Sequence, residues 1–256
     1  MSTKVINEET QSPREQENSE KNYRATTPYN TIIILAAVIA VFLSQQLISM
    51  ESVVYLGGLV KPIFAQGEYW RLLTASVIHD GVFHVGFNGY ALFILGKLVE
   101  IISAKANVPV VFLISAVTGG LLSFAFLPNG TSVGASGGVI GLLGFLTVYS
   151  YRRRKLLSNA MFKNMLFNIV FIAVVGVFVL PNIDNYGHLG GLLAGGLYGI
   201  FQIPDDLHQD PRDAGPLLQK AGVFSLAVIL VTAFAAILMF VSWYLVTGDL
   251  VPLYQY

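Results

Sequence analysis

Long apolar intervals alternate with short polar ones along this chain. Stretches free of Asp, Glu, Lys and Arg run over 31–50, 108–127, 132–150, 165–181 and 221–246. Each approaches the roughly 20 residues that a helix needs to cross a bilayer core. Two further intervals, 79–101 and 188–203, open on polar residues and bring the predicted spans to seven. The pattern predicts an all-α, polytopic transmembrane helix bundle. Residues 51–78 form an unusually long first loop, apolar enough to lie in the membrane interface. Residues 204–220 read as a polar linker with Pro and Gly, which separates a six-helix core (31–203) from a seventh helix with a short outer tail (221–256).

Residues 1–30 are polar, mixed in charge and poor in aliphatic bulk, so a disordered tail is expected. The first apolar run has no small-residue cleavage site behind it and is expected to be a retained span, not a signal peptide.

Composition agrees with the pattern: 54% of residues are hydrophobic and 12% charged, about half the charged share of an ordinary soluble domain. The 15 basic and 15 acidic residues cancel, so no global field points to nucleic acid. Their distribution is more informative. With the N-terminus cytoplasmic and the C-terminus outside, every basic residue but Lys61 and Arg71 falls on the inner side, the run Arg152 to Lys155 included. A bacterial plasma membrane is the simplest home for that topology. The absence of cysteine excludes disulfides, thiolate zinc sites and a cysteine nucleophile.

Polar groups inside spans are costly and mark function. The second span opens HDGVFHVGFN, and at about 100° per residue His84 and Asn88 share a helix face that His79 leaves. Ser136 sits about one turn into the fourth span, and His188 opens the sixth. The threading places all of them in the outer half of the membrane. Gly134 to Gly138 matches the G-x-S-x-G of a hydrolase nucleophile elbow, yet no strand or soluble sheet can surround it. The serine itself still suits nucleophilic catalysis. Its hydroxyl needs a base, for which neutral imidazole at His188 serves. Asn88, His84 and the Ser136 N–H could hold an oxyanion. Gly187, Gly191, Gly195 and Gly199 recur every four residues, and Gly134, Gly137, Gly138, Gly141 and Gly144 stud the fourth span, so the two helices can touch backbone to backbone.

Alternatives weigh against each feature alone. Glycine stripes are common packing devices, and a membrane serine usually bonds its own backbone. A histidine metal site is disfavoured because His79 and His84 lie on different faces. A transporter would show repeated halves and midplane charges, and neither is evident.

Taken together, Trp70-Arg71, His79-x4-His84-x3-Asn88, Gly96 to Glu100, Gly134-x-Ser136-Gly137 and His188-x2-Gly191-x3-Gly195 resemble the rhomboid family of intramembrane serine proteases, across 31–203. The resemblance implies a Ser136–His188 dyad, with His84 and Asn88 at the oxyanion and no metal or cofactor. It further implies that His79 is structural, that Trp70 and Arg71 brace the first loop, and that Glu100 ties down the inner end of the second span. Asp184 corresponds to a loop residue of the family, not a triad member. Ile140 departs from the pattern, since many members carry an aromatic ring there against the catalytic histidine. Substrates would be transmembrane proteins with helix-weakening residues near the outer interface. A catalytically silent rhomboid-like chaperone or dislocation factor is the alternative.

Overall fold

The computed structural model describes residues 27–157, 159–178 and 183–249. The expected tail falls mostly outside them, over residues 1–26, as does the end of the chain from residue 250. The described residues form ten helices and one two-stranded ladder. The protein is an all-α polytopic bundle, and thus a membrane protein.

The first helix, α1 (Tyr29–Gln45), stops short of residue 50. A turn follows, and the Ser49 side chain accepts the Ser52 N–H to start α2 (Met50–Gly57). The first loop is built of short pieces: α2, strand β1 (Leu59–Val60), α3 (Lys61–Phe64) and α4 (Arg71–Thr74). Beyond it run α5 (Val82–Ile102) and α6 (Asn107–Phe126). Strand β2 (Thr131–Ser132) then pairs antiparallel with β1, Leu59 opposite Ser132 and Val60 opposite Thr131.

Because 131–132 are strand, the next helix, α7 (Ser136–Arg152), starts four residues later than the apolar run suggested. Ser136 is therefore its first residue, not one turn in. Helix α8 (Asn159–Phe178) is followed by α9 (Asn185–Gln202), which opens on a side-chain cap from Asp184. The last helix, α10 (Pro216–Thr247), begins within the expected linker, with Pro at its first turn where the missing N–H costs nothing.

Four of these helices, α5, α6, α8 and α10, are long and apolar enough to cross a membrane. The other expected spans, α1, α7 and α9, are only 17, 17 and 18 residues. For α7 the reason is burial: Leu142, Leu143, Phe145 and Leu146 are at most 1% exposed. Protein, not lipid, surrounds it, so a continuous apolar exterior is not required. Helix α9 wedges against α6 and α7 through its glycines, and α5 packs on α1 and α7. By contrast α8 leans chiefly on α7 and exposes Phe167, Phe171 and Phe178. Helix α10 packs on α1 and α6, its Ala233, Ala236 and Phe240 meeting Val38 and Val41 in a second core.

Candidate active site

The loop before Ser136 is fixed from three directions. The β1–β2 ladder holds 131–132, the Gly134 N–H donates to the Ala75 carbonyl (2.8 Å), and the Ala135 N–H donates to His79 Nε2 (3.3 Å). Gly134 has φ +124°, open to glycine but strained for other residues. A Cβ there would also lie 2.8 Å from Cε1 and Nε2 of His84. Two constraints, backbone and space, thus require glycine next to the nucleophile candidate. The first N–H groups of a helix have no intrahelical acceptor, so the start of α7 presents donors beside Ser136. Ser136, Gly134, Gly137, Asp184 and Gly187 line a cleft of about 50 Å³, space for a water or two.

Helix α9 meets α7 through bare backbone. A Cβ on Gly191 would lie 2.1 Å from the Gly137 carbonyl oxygen, and one on Gly195 only 1.9 Å from that of Gly141. Gly187 likewise abuts Gly119 of α6, its carbonyl 2.6 Å from where a Cβ would stand there. The residues flanking His188 therefore touch those flanking Ser136. Nδ1 of His188 is buried and has no hydrogen-bond partner among the described residues.

The nearby carboxylate is otherwise engaged. Asp184 caps α9 by accepting the Gly187 N–H (2.8 Å), and it accepts the hydroxyls of Ser123 on α6 and Ser132 on β2. Burial resists its ionisation, but these hydrogen bonds, with the charge of Lys61 added, hold its pKa below the ordinary value. Lys61, 1% exposed, is in turn pushed down by burial while Asp184 pulls it up. One carboxylate thus joins the first loop, α6, β2 and α9.

The separate faces expected of His79 and His84 do not describe the structure, because His79 precedes the helix and its ring turns toward that of His84. His79 lies before α5, fully buried, with its backbone carbonyl and N–H both bonded to the Gln45 side chain. Its ring meets that of His84 edge-on at 4.9 Å. His84 faces Gly134 and lies within electrostatic range of His188. The Asn88 amide donates to the His84 carbonyl one turn back (3.0 Å). Ile140 is buried in the main core.

A family profile described as the Rhomboid domain matches residues 66–204, just over half of the chain. The chain belongs to the rhomboid family. It is 38% identical over 145 residues to "Rhomboid protease GluP" of Bacillus subtilis (strain 168), an alignment covering 57% of this chain and 28% of that protein. It is 35% identical over 146 residues to "RHOMBOID-like protein 4" of Arabidopsis thaliana, covering 57% and 37%. It is also 35% identical over 156 residues to "Rhomboid-like protease 1" of Toxoplasma gondii, covering 57% and 52%. The chain thus spans from about a quarter to about half of the length of these relatives.

Within this rhomboid domain the outlying residues are placed as follows. Arg71, 3% exposed, donates to the carbonyls of Gly58 (2.7 Å) and Tyr55 (2.8 Å) and pairs with Glu68. Trp70 beside it is half exposed. Glu100 reaches back to α1, where its carboxylate accepts both the N–H (2.7 Å) and the hydroxyl (2.6 Å) of Thr31. Several residues escaped sequence reasoning: Gln45, Lys61, Asp80, and the pair Ser123 and Ser132. Only Lys61 left a trace, as one of two basic residues that broke the charge asymmetry.

Proposed function

We propose that this rhomboid is an intramembrane serine endopeptidase that cleaves transmembrane proteins with a Ser136–His188 dyad. The observation that carries the reading is the backbone contact between α7 and α9, which sets the first residue of one helix beside the first turn of the other. The naming of relatives as rhomboid proteases supports the reaction class. That Asp184 is spent on a cap and two hydroxyls, and His188 Nδ1 is without a partner among the described residues, supports a dyad over a triad.

In this mechanism Ser136 Oγ attacks the scissile carbonyl as the His188 imidazole takes its proton. His84, Asn88 and the N–H groups at the start of α7 hold the oxyanion. The proton passes to the departing amine; a water, deprotonated by His188, then attacks the acyl carbon, and His188 returns that proton to Ser136 Oγ as the C–Oγ bond breaks. A substrate helix keeps its peptide bonds internally hydrogen-bonded, so cleavage requires local unwinding. Preferred substrates carry Gly, Pro or polar residues near the outer interface. The chain sits in a plasma membrane, bacterial in the simplest case, with its N-terminus cytoplasmic and its C-terminus outside.

The test uses purified full-length protein in proteoliposomes with a helix-destabilised transmembrane substrate. Ser136→Ala and His188→Ala are each expected to abolish cleavage at unchanged folding, and a fluorophosphonate probe is expected to label Ser136. Cleavage by either variant would overturn the dyad. An unlabelled and inactive wild type would favour a silent, chaperone-like member.

A further inference from the structure

The loop into α5 carries an acidic residue that the mechanism above leaves unused. Asp80 Oδ1 lies 2.5 Å from His84 Nδ1, one helical turn away. We propose that Asp80 is a positioning residue that holds His84 as a doubly protonated oxyanion donor, an inference that rests on the proposed protease reading.

The hydrogens available to the pair decide the state of the ring. A carboxylate only accepts, so the hydrogen in the Asp80–His84 bond belongs to Nδ1. The bond on one ring nitrogen decides what the other can do. With Nδ1–H committed to Asp80, a neutral His84 ring has a bare Nε2. That nitrogen faces Gly134, two residues from Ser136. As an acceptor it would repel a developing oxyanion. It can donate only from the imidazolium, which the Asp80 carboxylate neutralises. His84 keeps this proton throughout the reaction; His188 alone exchanges protons with Ser136 and the leaving amine.

The other titratable groups around the ring fit this assignment. His79 packs edge-on against it and accepts the Ala135 N–H at its own Nε2, so it is neutral and does not compete for Asp80. From α9 comes His188, the base, which must also be neutral to act. Asp184 acts on His188 but is occupied by Ser123, Ser132 and the Gly187 N–H. Among the described residues, Asp80 is the carboxylate bonded to this ring. Its side chain is 60% exposed and that of His84 29%, so substitution at 80 disturbs little packing.

Two variants test the proposal. Asp80→Asn and Asp80→Ala both remove the charge that keeps the second hydrogen on the ring, so each is expected to lower kcat roughly tenfold with KM unchanged, a fraction of the ~10²-fold loss of a whole oxyanion donor. In a His84→Ala background, Asp80→Ala is expected to change nothing further. Nitrogen-15 spectra of His84 in the intact detergent-solubilised chain supply a readout independent of turnover. Both ring nitrogens are expected to be protonated in the wild type and only one in Asp80→Asn.

Wild-type kcat in both Asp80 variants, or a singly protonated wild-type ring, would overturn the proposal. So would an undiminished Asp80→Ala effect without His84. If Ser136→Ala is inactive while the Asp80 variants behave as wild type, only this inference fails. If Ser136→Ala is active, the protease reading fails first.

Discussion

Replacing Gly195 by Ala adds one methyl group at the tightest point between α7 and α9. Its Cβ would stand 1.9 Å from the Gly141 carbonyl oxygen and 2.5 Å from the carbonyl carbon. Close C···O approaches in proteins stop near 3.3 Å, so the two backbones must part by about 1.4 Å at this level. No rotamer change relieves a backbone clash, and overpacking of this kind costs about 1–3 kcal/mol. The same displacement carries His188 away from Ser136, and a 1 Å misplacement of reacting groups costs on the order of 10²-fold in rate.

Gly196 provides the control, since a Cβ there would approach nothing closer than 3.8 Å. Gly196→Ala should gain up to about 1 kcal/mol from helix propensity and keep its activity. The assay is cleavage in proteoliposomes, with thermal unfolding measured in parallel. Gly195→Ala as stable and active as Gly196→Ala would refute the claim that glycine contact sets the dyad.

Other outcomes follow from particular contacts. Asn88→Ala is expected to lower kcat about 10²-fold with KM little altered, as for loss of an oxyanion donor, checked by steady-state kinetics. Arg71→Ala leaves the buried Gly58 carbonyl and the part-buried Tyr55 carbonyl without their donor, and thermal or denaturant unfolding should show a loss of about 1–3 kcal/mol. Asp184 has a folded pKa below the ~3.9 of a free aspartate, so its stabilisation is complete above that pH and is lost as pH falls through the folded value. Unfolding temperatures of Asp184→Ala should lack that acid-side loss and, near pH 7, reflect the ~1 kcal/mol of a missing cap. Cleavage should persist in a strong chelator, measured against the untreated enzyme.

The sequence made some of this molecule legible and hid the rest for definable reasons. Hydropathy located the long helices because lipid imposes a length and a composition. It misplaced the start of α7, since Ser132 reads as the opening of the apolar run until its pairing with Leu59 is seen. A bracing role for Arg71 in the long first loop was implied by the family resemblance, but hydropathy could not show that Arg71 and Thr74 reach carbonyls 13 to 17 residues away. The glycine stripe on α9 was readable because a four-residue period has one meaning on a helix. The acid bonded to His84 was overlooked for a simpler reason. Asp80 falls just before α5, and a helical-wheel argument counts only residues within the helix.

The unequal lengths of α1 and α10 have a mechanical consequence. These neighbours, 17 and 32 residues long, would measure about 26 and 48 Å, on either side of the ~30 Å hydrocarbon thickness of a bilayer. No flat membrane of uniform depth can match both. Beside the short helix either the lipid thins or flanking side chains reach toward the interface, and the long one must tilt or protrude. The step in hydrophobic depth falls between these two neighbours, so lipid on that flank meets both lengths at once.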